Sequence, residues 1–177
     1  MRKKIIKNKN KGILFWVTGF SGSGKTQISK KILKKIQMLY GPTIEVSGDE
    51  WRKVTNFKKY DKKSRTEGLI RLHRFTKMIT DKNINLILNC IGMYHRARKW
   101  NRSNIDNYLE IYIEADLKKI ISLKKKSLYL SNKKNIVGLD IKAELPKNPH
   151  IKIVNDFKKP IFILANELVY KIKKIVG

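Results

Sequence analysis

Eight consecutive residues, Gly19-Phe-Ser-Gly-Ser-Gly-Lys25-Thr26, match the phosphate-binding loop pattern G-x-x-x-x-G-K-[ST]. In this pattern the glycines let backbone N–H groups surround a phosphate chain, and the helix that follows adds positive potential. Lys25 can reach the β and γ phosphates of ATP, and the Thr26 hydroxyl can ligate Mg²⁺. The structural alternative is a glycine-rich turn that binds no ligand. The predicted ATP-binding residues are Gly19, Ser21, Gly22, Ser23, Gly24, Lys25, Thr26 and Gln27.

A carboxylate and an arginine, Asp49 and Arg52, follow the next predicted strand. Ligands of open α/β sheets gather at the carboxyl ends of strands, so Asp49 could take a proton from a substrate hydroxyl or hold Mg²⁺ through water. Arg52 could bind an acceptor's phosphate. Two structural alternatives stay open: Asp49 as the N-cap of a helix at 51–54, and Arg52 as half of a surface ion pair. We predict Lys25 and Asp49 as catalytic, and Thr26 and Asp49 as metal-binding.

Strands that alternate with helices must position these residues. Apolar runs predict five strands, at 13–17, 43–46, 85–91, 109–113 and 151–154. Apolar residues at helical spacing predict helices at 28–39, 69–79, 117–128 and 161–176. This alternation predicts an α/β protein with the three-layer P-loop nucleoside-triphosphate hydrolase fold, in which helices flank a five-stranded, mainly parallel sheet. We predict a basic, frayed arm at 1–12 and a single domain at 13–177.

The net charge of +27, from 41 Lys and Arg against 14 Asp and Glu in 177 residues, is extreme. Clustered cations bind polynucleotide phosphates, so a basic nucleic-acid-binding NTPase is one hypothesis. However, 33 of the cations are lysines spread through the whole chain, which favours a solvated surface that attracts small anions. We therefore expect a small-molecule partner and not a nucleic acid.

The apolar runs are too short to span a membrane, and the single cysteine, Cys90, excludes an internal disulfide and a cysteine-built zinc site. We expect a cytoplasmic protein that does not bind a membrane.

The phosphate loop and the Asp49 segment together resemble the adenylyl-sulfate kinase family. That family carries Trp/Phe-x-Thr-Gly-x-Ser-Gly-Ser-Gly-Lys and then Asp-Gly-Asp-x-x-Arg, which match 15–25 and 47–52 here. The resemblance runs to about residue 155 and implies ATP and Mg²⁺, a lid at about 123–148, and an acceptor that Asp49 activates. A homodimer is one of the oligomeric states that the sequence leaves open. The acceptor-binding residues that it implies are Arg52, Tyr60, which would stack on a base, Arg65, Ile91, Gly92 and Met93.

The acceptor side of this resemblance carries departures. The first Asp of Asp-Gly-Asp is Ser47, and the Asn of the Asp-Arg-x-Glu-Asn run is Gly68. The family's Ile-Ser-Pro-Tyr is Ile-Gly-Met-Tyr at 91–94. One branch of the family, which contains cytidine diphosphoramidate kinase, resembles this region better through Met-Tyr, Asn-Arg at 101–102 and Asn-Tyr-x-Glu-x-Tyr at 107–112.

The leading prediction is therefore an ATP-dependent kinase that phosphorylates the ribose 3′-hydroxyl of a nucleotide mixed anhydride, converting adenylyl sulfate to 3′-phosphoadenylyl sulfate. The alternative is cytidine diphosphoramidate, in capsule phosphoramidate synthesis. An NTPase that acts on nucleic acid predicts a coupling carboxylate after the third strand, where the sequence has Leu-Asn-Cys-Ile-Gly at 88–92. A catalytically inactive relative is a third hypothesis, which the retention of Lys25, Thr26, Asp49 and Arg52 disfavours.

Overall fold

The structure is a computed structural model that describes residues 5–125, 127–130 and 134–177. The first part of the predicted arm, 1–4, and part of the predicted lid, 126 and 131–133, lie outside these ranges.

Within the described residues five parallel strands form one sheet: β1 (Leu14–Thr18) is central, β3 (Asn85–Asn89) and β4 (Tyr108–Glu114) flank it, and β2 (Thr43–Ser47) and β5 (Ile151–Val154) are the edges. The central strand β1 is buried on both faces, which explains its unbroken apolar run. Its side chains alternate: Leu14 and Trp16 pack in one core layer, and Phe15 and Val17 pack in the other.

Helices cover both faces of the sheet, so the predicted three-layer fold is confirmed. Helices α1 and α6 pack on the Phe15 face, and α3, α4 and α5 pack on the Trp16 face. The helices are α1 Lys25–Tyr40, α2 Gly48–Val54, α3 Lys62–Asp81, α4 His95–Asn104, α5 Leu117–Ser122 and α6 Ile161–Val176, with a 3₁₀ turn at Ser127–Leu130.

Two elements end earlier in the structure than predicted, and one helix was not predicted. The helix predicted at 117–128 ends at Ser122, because the chain turns through a left-handed conformation at Lys124 (φ 48°). The third strand ends at Asn89 and not at 91, ahead of the left-handed Gly92. Helix α4 lies in a segment for which we predicted no core element, because its buried face includes the polar residues Arg98 and Asn101.

The prediction of a frayed arm is wrong for residues 5–11. Ile5 is buried against the Phe15 face of the domain. The side-chain oxygen of Asn107 accepts hydrogen bonds from the backbone of Lys7 at 2.8 Å and Asn8 at 3.1 Å. These contacts hold the arm at the amino ends of the strands.

In the ranges that the structure describes, no helix combines the length and the apolar character that crossing a membrane requires.

Candidate active site

The phosphate loop lies at the carboxyl end of β1 and leads directly into α1. Gly24 is the N-cap of α1 with φ 93°, a left-handed conformation that glycine adopts without strain. A Cβ atom at Gly19 would lie 2.5 Å from the carbonyl oxygen of Ile113, so this backbone contact requires a glycine. The amide of Asn155, just after β5, donates a hydrogen bond of 3.0 Å to the carbonyl of Ser23. The loop is thus held in shape by its glycines and by one distant amide.

Lys25 and Thr26, the two side chains of the loop that we predicted to bind ATP and Mg²⁺, differ in exposure. Lys25 is buried, and its Nζ donates to the carbonyl oxygen of Phe20 at 2.6 Å across the loop. Thr26 is exposed at the start of α1, and its hydroxyl donates to the Oδ1 atom of Asn89 at 3.0 Å. Both residues line a cleft of about 1330 Å³ along the carboxyl edge of the sheet.

This cleft brings most of the predicted site residues together. From the loop it includes Ser21, Gly22, Gly24 and Gln27 besides the lysine and threonine. It also includes the predicted catalytic residue Asp49 and, from the acceptor set, Arg52, Tyr60, Arg65 and Ile91. Gly19 and Ser23, in contrast, are buried behind the loop and do not line it. Their position suits a structural role in the loop.

The charge of the cleft is strongly positive. Four lysines line it besides Lys25, and among the lining residues in the described ranges only Asp49 carries a carboxylate. Part of this charge comes from the predicted lid, through Lys125 and Lys134. A cleft with this charge attracts anionic substrates.

Asp49 does not cap helix α2. Ser47 is the N-cap, in a capping box in which its Oγ accepts from the N–H of Glu50 at 3.1 Å and its N–H donates to Glu50 Oε2 at 2.8 Å. These hydrogen bonds lower the pKa of the Glu50 carboxyl. The alternative that Asp49 serves as the cap is therefore wrong, and its side chain, 80% exposed, extends into the cleft.

Arg52 forms the ion pair that we gave as its structural alternative, with its guanidinium 2.8 Å from Asp49 Oδ1. The pair lies inside the cleft, so it does not remove either residue from the site. The guanidinium also lies 6.0 Å from the centre of the Tyr60 ring. The structure thus joins three predicted site residues in one contact group.

Arg65 completes this group from α3. Its guanidinium stacks 4.9 Å from the centre of the Tyr60 ring, within the range of a cation–π contact. Its Nε donates to the carbonyl of Tyr60 at 2.6 Å, and its NH2 donates to the carbonyl of Asn135 at 2.9 Å. Burial lowers the pKa of Arg65, although an arginine keeps its charge in proteins. Arg65 therefore connects the acceptor side to the predicted lid.

A mainly apolar recess opens off the cleft and shares Arg52, Arg65 and Ile91 with it. Aromatic rings form much of its wall, from Trp51, Phe57 and Tyr94. The recess also contains both glycines that replace polar residues of the family, Gly68 and Gly92.

Aromatic side chains fill the space beside those two glycines. A Cβ atom on Gly68 would lie 3.1 Å from the ring of Phe57, and one on Gly92 would lie 2.4 Å from the ring of Trp16. Met93 is fully buried in the core and lines neither the recess nor the cleft. Its side chain therefore faces the core, and acceptor binding at this position stays a prediction.

Several residues of the site were not predicted. Asn89 ends β3 and Asn155 follows β5, so the general rule that functional groups collect at strand carboxyl ends could have found both. Cys90, which lines both the cleft and the recess, accepts a hydrogen bond from the Trp16 indole at 3.1 Å, and burial raises its pKa to about 11. Arg98 of helix α4 is also buried, with its Nε 2.7 Å from Glu110 Oε1.

A phosphate loop before the first helix of a parallel sheet, with a cationic cleft at the strand ends, defines a P-loop nucleotide-binding protein. A family model described as adenylylsulphate kinase matches residues 11–154, so the chain belongs to the adenylylsulphate kinase family.

Characterised relatives agree with this assignment. Cytidine diphosphoramidate kinase of Campylobacter jejuni is 34% identical over 78% of this chain and 84% of that protein. Adenylyl-sulfate kinase of Gloeothece citriformis is 25% identical over 94% of this chain and 97% of that protein. The solved APS kinase of Mycobacterium tuberculosis, in complex with AMPPNP and APS, is 25% identical with a TM-score of 0.79, over 92% of this chain and 98% of that one. The chain is thus a kinase that transfers a phosphoryl group.

Proposed function

We propose that this kinase transfers the γ-phosphoryl group of ATP to the ribose 3′-hydroxyl of a nucleotide mixed anhydride, and that the acceptor is cytidine diphosphoramidate. The observation that carries the reaction is the single cleft that joins the phosphate loop to the Asp49, Arg52, Tyr60 and Arg65 group. A donor site and an acceptor site must share one cleft for direct transfer.

On the donor side, the loop N–H groups and Lys25 bind the β and γ phosphates. The residues fit Mg²⁺, because Thr26 and Asp49 offer oxygen atoms to the same cleft. Within the described ranges no cluster of three or more His, Cys, Asp or Glu could hold a metal alone. That agrees with a metal held largely by substrate phosphates, where it would neutralise charge on the transferred group.

On the acceptor side, Tyr60 stacks on the base while Arg52 and Arg65 bind the anionic tail. Asp49 orients the 3′-hydroxyl and accepts its proton as the oxygen attacks the γ phosphorus. The new O–P bond forms as the bond from the γ phosphorus to the bridging oxygen breaks, and ADP leaves. Arg52, 2.8 Å from Asp49, holds the carboxylate in position.

The choice of cytidine diphosphoramidate rests on two observations. The relative that shares 34% identity carries that name. The recess that shares Arg52 and Arg65 with the cleft has glycines at 68 and 92 where the family has polar residues, and Phe57 and Trp16 occupy the adjoining space. A site with fewer fixed hydrogen-bond donors and less room suits a smaller pyrimidine.

Adenylyl sulfate is the second candidate. Tyr60, which lies between two arginines, can stack on an adenine as well as on a cytosine, because stacking tolerates any base. The family model and several of the similar proteins carry this activity in their names.

A direct comparison of acceptors tests the proposal. Purified protein with ATP and Mg²⁺ is assayed for ADP release with each acceptor, and phosphorus NMR locates the new phosphate on the ribose. We expect a higher kcat/KM for cytidine diphosphoramidate. A tenfold preference for adenylyl sulfate, about 1.4 kcal/mol, would contradict the acceptor assignment, and no transfer to either would contradict the reaction.

The cytoplasmic location and a homodimer are also part of the proposal. Light scattering on the purified protein tests the dimer. Fractionation of the native cell tests the location.

A further inference from the structure

A chain of three side chains connects the phosphate loop to the second strand. The Thr26 hydroxyl donates to Asn89 Oδ1 at 3.0 Å, and Asn89 Nδ2 donates to Glu45 Oε1. Asn89 ends β3, and Glu45 lies in the neighbouring strand β2. Asn89 lines the cleft and Glu45 does not, so the asparagine side chain lies between the Glu45 carboxylate and the cleft.

The chemistry of these groups sets the direction of both hydrogen bonds. An ionised carboxylate only accepts, so Asn89 must turn its NH2 to Glu45 and its oxygen to Thr26. The threonine hydroxyl has one proton, which it then donates to Asn89. Its oxygen lone pairs are thereby directed away from the amide. Burial and the nearby Glu50 raise the pKa of Glu45, while Lys30 and the hydrogen bond from Asn89 favour its ionised form.

P-loop enzymes hold Mg²⁺ with the loop Ser or Thr and a carboxylate at the end of a neighbouring strand. In this chain the strand-end position beside Thr26 is the neutral Asn89. The carboxylate lies one side chain further away, on β2, where it contacts the asparagine amide.

We propose that Glu45 and Asn89 are positioning residues for the metal, which together supply the orientation and negative charge that one strand-end carboxylate supplies elsewhere. This inference rests on the proposed function, since it concerns Mg²⁺ at Thr26. Partners that orient a metal ligand commonly change metal affinity by about 10- to 100-fold when they are removed.

The test measures Mg²⁺ directly and needs no acceptor. Binding of a fluorescent, non-hydrolysable ATP analogue is titrated with Mg²⁺, and Mn²⁺ binding in its presence is followed by electron paramagnetic resonance. We expect Glu45→Ala to raise the Mg²⁺ concentration at half-saturation by about tenfold, with unchanged analogue affinity in EDTA. Glu167→Ala, which removes a surface carboxylate paired with Lys171, is the matched control and should leave the midpoint unchanged.

A second substitution separates positioning from a purely structural tie between strands. Asn89→Asp in the Glu45→Ala background puts a carboxylate beside Thr26, and we expect it to restore the Mg²⁺ midpoint. Glu45→Gln keeps the shape of the side chain and an oxygen that accepts a hydrogen bond from the Asn89 amide. It therefore provides a folded variant if Glu45→Ala does not fold.

Unchanged Mg²⁺ midpoints in Glu45→Ala and Glu45→Gln would overturn the inference, as would failure of Asn89→Asp to restore the midpoint. The parent protein provides the check on the underlying function. If it bound the analogue without any response to Mg²⁺, the proposed reaction would be contradicted first.

Discussion

Arg65 holds Tyr60 in two ways, with its guanidinium 4.9 Å from the ring centre and its Nε 2.6 Å from the carbonyl oxygen of the same residue. The arginine therefore fixes both the ring and the backbone of the residue that we propose stacks on the acceptor base. Arg65 also donates a hydrogen bond to the carbonyl oxygen of Asn135, so this one side chain contacts both Tyr60 and the predicted lid.

Replacing Arg65 should impair the acceptor site and spare the donor site. We expect Arg65→Ala to raise the KM for the acceptor by at least about tenfold, since a charge-assisted contact contributes about 1.5–3 kcal/mol. Arg65→Lys should recover part of this loss, because it restores charge without the planar stack. Steady-state kinetics with each substrate varied provides the measurement. The control is Arg71→Ala, exposed on the same helix, and an equal rise in the KM for ATP would contradict the assignment.

Lys25 provides the test of the donor site. Lys25→Ala should reduce kcat by about a hundredfold or more, the effect of removing one preorganised charge contact. Lys31→Ala, an exposed lysine on the same helix, should keep full activity. Circular dichroism on both variants checks the fold. Near-normal turnover in folded Lys25→Ala would disprove the phosphate-loop assignment.

Substitutions of Asp49 and Ser47 should affect different properties, turnover for Asp49 and stability for Ser47. The reason is that Ser47, and not Asp49, caps helix α2. We expect Asp49→Asn to lose most of its turnover with little change in Tm. Ser47→Ala should instead cost about 1 kcal/mol of unfolding free energy, the usual effect of losing an N-cap. Thermal melts and turnover on the same preparations check both, and full activity in Asp49→Asn would remove its catalytic role.

Phe57 should set the size of the acceptor recess. Its ring lies where a side chain at Gly68 would point. We expect Phe57→Ala to enlarge the recess and shift the ratio of kcat/KM values toward adenylyl sulfate by about tenfold, in the range of one pocket contact. Val54→Ala, at a position that is 84% exposed, is the control. An unchanged ratio would show that another feature discriminates the acceptors.

His73 should make stability depend on pH. It is fully buried beside Trp16, and burial lowers its pKa from the usual 6.5 to about 3. The unfolded chain takes up this proton below about pH 6.5, and the folded chain does not. The stabilising effect is therefore complete above pH 6.5 and is lost as the pH falls, by up to about 1.4 kcal/mol per pH unit.

Urea unfolding between pH 6.5 and 5 measures this slope. His73→Gln should flatten it, whatever the variant's absolute stability. Part of the pH dependence that remains in this variant comes from His150, because burial also lowers the pKa of that residue. An identical slope in the variant would show that His73 does not titrate in this way.

The features that could be predicted from the sequence depend on residues that are close together in the chain. The alternation of Leu14 and Trp16 against Phe15 and Val17 follows from strand geometry alone. The phosphate loop has its own pattern, so its place between β1 and α1 could be predicted as well.

The features that escaped prediction depend on partners far away in the chain. Helix α4 packs through Arg98, whose charge is compensated inside the core by Glu110 from β4, so its polarity concealed its burial. The ring of Phe57 packs against Gly68, which is eleven positions later in the chain. Only the folded chain shows that this ring uses the space that a side chain at position 68 would need. Likewise, no local pattern connects Glu45 to Asn89.

The docked arm, residues 5–11, has a practical consequence for surface chemistry. Asn107 anchors it at the amino ends of the parallel strands, whereas the cleft opens at their carboxyl ends. A linker attached to this arm at the exposed Lys9 would therefore leave the protein on the side away from its substrates. Immobilised on a sensor chip through such a linker, the kinase would present its nucleotide cleft to the flowing solution.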